Sequence, residues 1–267
     1  MKRHKVTIML ALILAGLIGA PATAVADPPE GPVYLALGDS QAFGFGAYPD
    51  EKLGYTAILS RWVHGTDCRE DNPAGCPQLE FVNLAVPGAT SSSFIAVQLQ
   101  PAVALLNERN NDSDPGNDVV LVTVTIGGND ISNPVFDACS GGPTPECAQA
   151  IQTAFTTYVA NLGLILGTLR AAAGPDTQIV ISTYDNPLAA CVRAPFASLG
   201  DLVLEGGPGL PVGFNDIIRG VAALFDVEVA DIYGQLSVDD WVGGDDCTHP
   251  DTSGYLKIAK VFWDVIA

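Results

Sequence analysis

Five short apolar runs recur along the chain, and segments with helical periodicity separate them. The runs are Pro32 to Leu37, Glu80 to Ala85, Asp118 to Ile126, Gln178 to Thr183 and Val227 to Ile232. The third is the strongest: Val119-Val120-Leu121-Val122-Thr123-Val124-Thr125-Ile126 is a nearly unbroken β-branched series. Such a series suits a strand buried on both faces, which is the condition of a parallel sheet. Between the runs, apolar residues at three- and four-residue spacing predict helices over Thr56 to Val63, Ser91 to about Arg109, Ala148 to Ala173, Phe214 to Phe225, and from Asp251 or Thr252 to about Val265. Gly174-Pro175 stops the longest of these. Arg61 to Leu79 reads as a polar loop, Asn133 to Cys147 as an insertion, and the Gly- and Pro-rich Asn186 to Pro211 as a stretch without regular structure.

Strand and helix alternate throughout, so the expected fold class is α/β: a three-layer αβα sandwich around a parallel sheet of about five strands. Right-handed crossovers bring every strand's carboxyl end to one rim, and ligands of such sheets bind there. Three of the runs end in glycine-bearing turns at that rim: Gly38-Asp39-Ser40, Val86-Pro87-Gly88-Ala89 and Gly127-Gly128-Asn129-Asp130. Ser40, Gly88 and Asn129 are therefore expected on one edge although they are far apart in sequence. No internal repeat and no long linker appears, so residues 27–267 are expected to form a single domain.

The first 26 residues stand apart. Lys2, Arg3 and Lys5 precede the apolar run Val6 to Ala20, and Ala24-Val25-Ala26 is a small-x-small site before Asp27. This is the pattern of a secretory signal cleaved after Ala26. An uncleaved anchor is the alternative, but the run is short for a bilayer span. No later stretch reads as a membrane span. The expected location is therefore extracellular, with no stable membrane anchor. The whole chain carries 12 basic and 30 acidic residues. The leader takes three of the basic ones and none of the acidic, leaving 9 against 30. So acidic a chain repels nucleic acid and anionic lipid, and nucleic-acid partners are not expected.

An even set of six cysteines in an exported chain favours disulfides over thiols. Spacing alone does not select the pairing. The simplest assignment has Cys68–Cys76 and Cys139–Cys147 as local staples, which leaves Cys191–Cys247. Zinc is the competing use, but the spacings are not CxxC. No metal or other cofactor is expected.

Only three histidines are present: His4, His64 and His249. His4 leaves with the leader. His64 lies between an amphipathic segment and a polar loop, where a solvated residue is the simpler reading. His249 follows Asp246 by three residues in the loop before the last helix. A carboxylate so placed can hold one ring nitrogen and leave the other free to take a proton. Ser40 is either the cap of a short helix or a nucleophile at the sheet rim. With Asp246 and His249 it forms a nucleophile, base and orienter set. The N–H groups of Ser40 and Gly88 and the amide of Asn129 are the expected donors to an oxyanion.

These blocks, in order, resemble those of the SGNH (GDSL) hydrolases: Gly38-Asp39-Ser40, Gly88 within Asn83 to Ala89, Gly127-Gly128-Asn129-Asp130 and Asp246-Cys247-Thr248-His249-Pro250. The resemblance runs from about Val33 to the last helix. It implies a flavodoxin-like αβα sandwich and metal-free hydrolysis of carboxylic esters. Ser40 would be the nucleophile, Gly88 and Asn129 oxyanion donors, His249 the base and Asp246 its orienter. The exported, cysteine-bearing chain looks like the secreted actinobacterial lipases and esterases of that family. Gln41 stands where the family name has Leu, and Ala42 where a small hydroxyl residue is frequent. An α/β-hydrolase is disfavoured, because Ser40 ends the first strand and acid and base are three residues apart.

The expected activity is that of a secreted serine esterase or lipase working on small-molecule or lipid esters through an acyl-serine, as a monomer. A glycan deacetylase using the same residues and a non-enzymatic secreted binding module are the alternatives. Phe43, Phe45, Tyr48 and the apolar loop Leu188 to Leu210 are candidate walls of an acyl pocket.

Overall fold

The structure, a computed structural model, describes residues 31–48, 51–67, 79–140 and 142–267. The leader and the Cys68–Cys76 pairing lie outside the described residues.

Five parallel strands form one sheet: β1 Val33–Gly38, β2 Glu80–Asn83, β3 Val119–Thr125, β4 Gln178–Ser182 and β5 Glu228–Ala230, in the order β2-β1-β3-β4-β5. The helices are α1 Ser40–Phe43, α2 Tyr55–Asp67, α3 Ser91–Val97, α4 Leu99–Asn110, α5 Gly128–Cys139, α6 Pro145–Ala173, α7 Ala197–Glu205, α8 Phe214–Leu224 and α9 Thr252–Ile266. The two-residue alternation of β1 sorts its side chains between two cores. Leu35 and Leu37 join Val122, Val124 and Ile126 against the buried faces of α3, α4, α6 and α8. Tyr34 and Ala36 point the other way and pack with Tyr55, Leu59, Tyr255, Ile258 and Phe262 from α2 and α9. Each fully buried large apolar side chain contributes about 1.5–3 kcal/mol. Both faces of the sheet are therefore covered, as the uninterrupted apolar runs require.

The structure departs from the sequence reading in five places. α2 runs on to Asp67, through the start of the supposed polar loop Arg61 to Leu79. The helix predicted from Ser91 to Arg109 is two helices that meet at Gln98. Pro101 has no N–H to give the Val97 carbonyl, so the ladder cannot pass through. The supposed insertion Asn133 to Cys147 is mostly helix: α5 and the first turn of α6 occupy it. Within the supposedly irregular Asn186 to Pro211 lies α7, preceded by two short 3-10 turns at Pro187–Ala190 and Ala194–Phe196. Finally, α6 is long and apolar enough to cross a membrane by length and composition alone, which corrects the view that no later stretch is. In this fold its apolar stripe, Tyr158, Leu162, Ile165, Leu166 and Leu169, is buried in the core.

Candidate active site

Ser40 stands where β1 leaves the sheet. The preceding Gly38 has φ +138°, and a Cβ there would lie 2.0 Å from the carbonyl oxygen of Thr125. Only glycine fits so close to β3 with that backbone. The side chain of Gln98, at the break between α3 and α4, holds both polar groups of Gly38. It accepts from the Gly38 N–H at 2.9 Å and donates to the Gly38 carbonyl at 2.8 Å. Asp39 then caps α1, its Oδ1 accepting the N–H of Gln41 at 2.9 Å. Its Oδ2 accepts the Tyr184 hydroxyl at 2.7 Å. Burial pushes the Asp39 carboxyl up to about 7, although the bonds from Tyr184 and Gln41 pull the other way. Asn215 in turn grips Tyr184, accepting its backbone N–H at 2.9 Å and donating to its carbonyl at 2.8 Å. Gln98, Tyr184 and Asn215 were not singled out from the sequence, because each acts through a contact 30 or more residues away.

The other half of the site is a loop at the far end of the chain. His249 Nε2 lies 2.9 Å from Ser40 Oγ, and His249 Nδ1 lies 2.8 Å from Asp246 Oδ2. With Nδ1–H given to the carboxylate, Nε2 is an acceptor aimed at the serine hydroxyl. Asp246 is itself held by the N–H groups of Thr248 and His249, each at 2.9 Å from Oδ1. Partial burial opposes its charge. The bonds from the His249 ring and from these N–H groups outweigh that cost and hold its carboxyl below the usual range. The Phe45 ring packs on the imidazole with centroids 4.6 Å apart. Cys247 and Cys191 sit at disulfide distance, tying this loop to the turn after β4.

Gly88 and Asn129 come together as well. The Gly88 turn follows β2, with the Val86 N–H bonded to the Gly38 carbonyl at 3.0 Å. Gly88 has φ +80° and open space where a Cβ would point. Asn129, in the first turn of α5, donates its amide to the Ala89 carbonyl at 2.9 Å. Next to it, Asp130 accepts both the N–H and the hydroxyl of Ser91.

Ser40 and Asn129 open on a cavity of about 90 Å³. Its lining is mostly apolar: Ile131, Val135 and Phe136 from α5, and Leu199, Val203 and Leu204 from α7, while Gln41 and Thr248 line it as well. Leu188 completes the apolar part, so part of the apolar loop Leu188 to Leu210 does line a pocket. Phe43, Phe45 and Tyr48 do not line it. Phe45 serves the histidine instead. Cys139 and Cys147 sit at disulfide distance behind this wall and join the end of α5 to the start of α6. Among the described residues, no group of three His, Cys, Asp or Glu side chains is arranged to hold a metal ion.

A profile of the GDSL-like lipase/acylhydrolase family matches residues 36–257, most of the chain. The chain belongs to this family. Its solved structural neighbours share the αβα fold of GDSL hydrolases at low identity. An extracellular lipase from Streptomyces rimosus aligns with a TM-score of 0.55 at 21% identity, covering 88% of this chain and all of its own. The lipase Lip_vut3 from a goat rumen metagenome aligns with a TM-score of 0.61 at 16% identity, covering 87% of this chain and 96% of its own. Axe2, an acetylxylan esterase from Geobacillus stearothermophilus, aligns with a TM-score of 0.53 at 16% identity, covering 88% of this chain and 94% of its own. No curated protein sequence matches the chain. Family membership makes this GDSL protein a carboxylic ester hydrolase in class.

Proposed function

We propose that this GDSL protein is a secreted serine esterase or lipase that cleaves acyl esters through an acyl-Ser40 intermediate. One observation carries the reading: Ser40 Oγ, His249 and Asp246 form a continuous hydrogen-bonded series, 2.9 and 2.8 Å, at the mouth of an apolar cavity. Ser40 Oγ attacks the ester carbonyl while His249 Nε2 takes its proton. Asp246 stabilises the imidazolium that forms and keeps the ring oriented. The N–H groups of Ser40 and Gly88 and the Asn129 amide receive the developing oxyanion. His249 then returns the proton to the departing alcohol oxygen, and water, deprotonated by the same nitrogen, releases the acid. The acyl chain enters the cavity between α5 and α7. Its walls offer apolar side chains and few partners for a polar acyl group.

Export is supported by the basic, apolar, small-residue leader, by two cysteine pairs at disulfide distance and by the fold shared with an extracellular lipase. Residues 27–267 are the working domain, a monomer free of cofactor.

The test is hydrolysis of p-nitrophenyl esters from acetate to palmitate by wild type and Ser40→Ala. Wild-type activity on medium or long chains, lost by at least about a thousandfold in Ser40→Ala, is expected. Activity confined to acetate transfers the assignment to a deacetylase using the same residues. A folded wild type that turns over no ester marks a binding module instead.

A further inference from the structure

The family name spells Gly-Asp-Ser-Leu, and this chain reads Gly38-Asp39-Ser40-Gln41. A glutamine is a costly replacement for leucine at this depth, because its amide must find partners. Gln41 is only 8% exposed, on α1 directly after the nucleophile. Its Nε2 donates to the carbonyl of Thr248 at 3.2 Å, across 207 residues of sequence. Thr248 is the residue before His249. A leucine fills a similar volume but offers no donor to that carbonyl.

We infer that Gln41 is a positioning residue that sets the separation between Ser40 and His249. The assignment rests on the catalytic roles proposed above for those two residues.

The connectivity of the site gives this bond its importance. Asp246, the Thr248 and His249 N–H groups and the Cys191–Cys247 pair hold the histidine loop in its own shape and against the turn after β4. None of these reaches the serine. Between residues 39–43 and 246–249, two side-chain hydrogen bonds are formed among the described residues. One is Ser40–His249, which breaks and reforms as the proton moves. The other is Gln41–Thr248, which takes no part in the chemistry and persists. Phe45 adds a second brace, since its N–H donates to the Ser40 carbonyl at 2.9 Å while its ring rests on His249. A reacting pair held near 3 Å is worth far more than the same groups a fraction of an ångström further apart.

The experiment compares wild type, Gln41→Leu, Gln41→Met and Ser40→Ala on a p-nitrophenyl ester that the wild type cleaves. Leu restores the family residue, and Met keeps the unbranched shape without the donor. If one variant fails to fold, the other carries the test. The expected result is a kcat about fivefold lower in each folded variant, the size set by one neutral hydrogen bond. KM stays unchanged, and phosphonylation of Ser40 by a small phosphonate ester slows by the same factor. That reagent is too short to use the acyl cavity, so it separates positioning from pocket shape. A kcat equal to wild type in a folded variant overturns the inference. So does a raised KM with intact kcat, which limits Gln41 to its place in the cavity lining. Full activity in Ser40→Ala would remove the underlying catalytic assignment rather than the role of Gln41 alone.

Discussion

The Ser40 corner and the histidine loop meet at 2.9 Å, yet they are built in opposite ways. Ser40 is positioned from inside the sheet. Gly38 sits against β3 without room for a methyl group, Gln98 clamps both of its polar groups, and Asp39 is locked by Tyr184. His249 lies on an irregular loop outside the layers. It is kept in place by local carboxylate bonds, a cross-loop cysteine pair and a bridge between Trp241 and Pro250. The first region shares the rigidity of the core, whereas the second has only what its staples supply. A perturbation of the corner should therefore appear in the stability of the whole fold, and one of the loop mainly in catalysis.

The sharpest way to break this contrast is Gly38→Ala. The added methyl meets the Thr125 carbonyl at 2.0 Å on a backbone with φ +138°. Overpacking and strain together predict a loss of about 4 kcal/mol or more, or failure to fold. Urea unfolding measures it, and a loss under 1 kcal/mol would show that the corner yields.

Asp39 gives a pH signature of the same region. Burial raises its folded pKa to about 7, above its unfolded value. The neutral form is favoured by the fold, so stability is fully present below about pH 4 and is lost as pH rises toward 7. The change is on the order of 4 kcal/mol. Asp39→Asn lacks this titration. Its stability relative to wild type should improve between pH 4 and pH 8 in urea denaturation. A constant difference across that range would show that Asp39 is not strained by burial.

In the loop, Asp246→Asn is expected to lower kcat about a hundredfold while changing the unfolding midpoint little, because Asn cannot stabilise the imidazolium. Steady-state kinetics beside a thermal melt make the comparison. A large loss of stability with normal kcat would reverse the contrast.

The smallest effect separates the two cysteine pairs. Replacing Cys191 and Cys247 by Ala should lower kcat severalfold and the unfolding free energy by about 2 kcal/mol. Replacing Cys139 and Cys147 should leave turnover of a short ester intact and weaken discrimination among long ones, since that pair backs the α5 wall. Ester-series kinetics on both double variants give the answer. Equal loss on all esters in both would mean the staples do not divide the work this way.

Much of the architecture was legible beforehand for a simple reason. A strand buried on both faces must be apolar at nearly every position, so Val119 to Ile126 announces itself, and β1 alternates its residues between two cores. The candidate residues Ser40, Asp246 and His249 were legible because few residue types suit acyl transfer and only three histidines exist. The loop helices were harder. In α5, Pro134 and a polar first turn hide the helical period, and in α7 the surrounding Gly and Pro mask a short apolar stripe. Both helices are held by packing, α5 against α6 and α7 against α8 and the same apolar cluster, rather than by propensity.

The sequence by itself determined the alternation of strand and helix, the rim that carries Ser40, Gly88 and Asn129, and the Asp246–His249 spacing. These follow from side-chain period and from chemistry that local sequence carries. Only the tertiary structure decided that Gln98 and Tyr184 secure the Ser40 turn, that Phe45 packs on His249 rather than lining the cavity, and that Gln41 reaches Thr248. Such contacts join residues tens to hundreds of positions apart, and a hydrogen bond fixed within a few tenths of an ångström leaves no periodic trace in the chain.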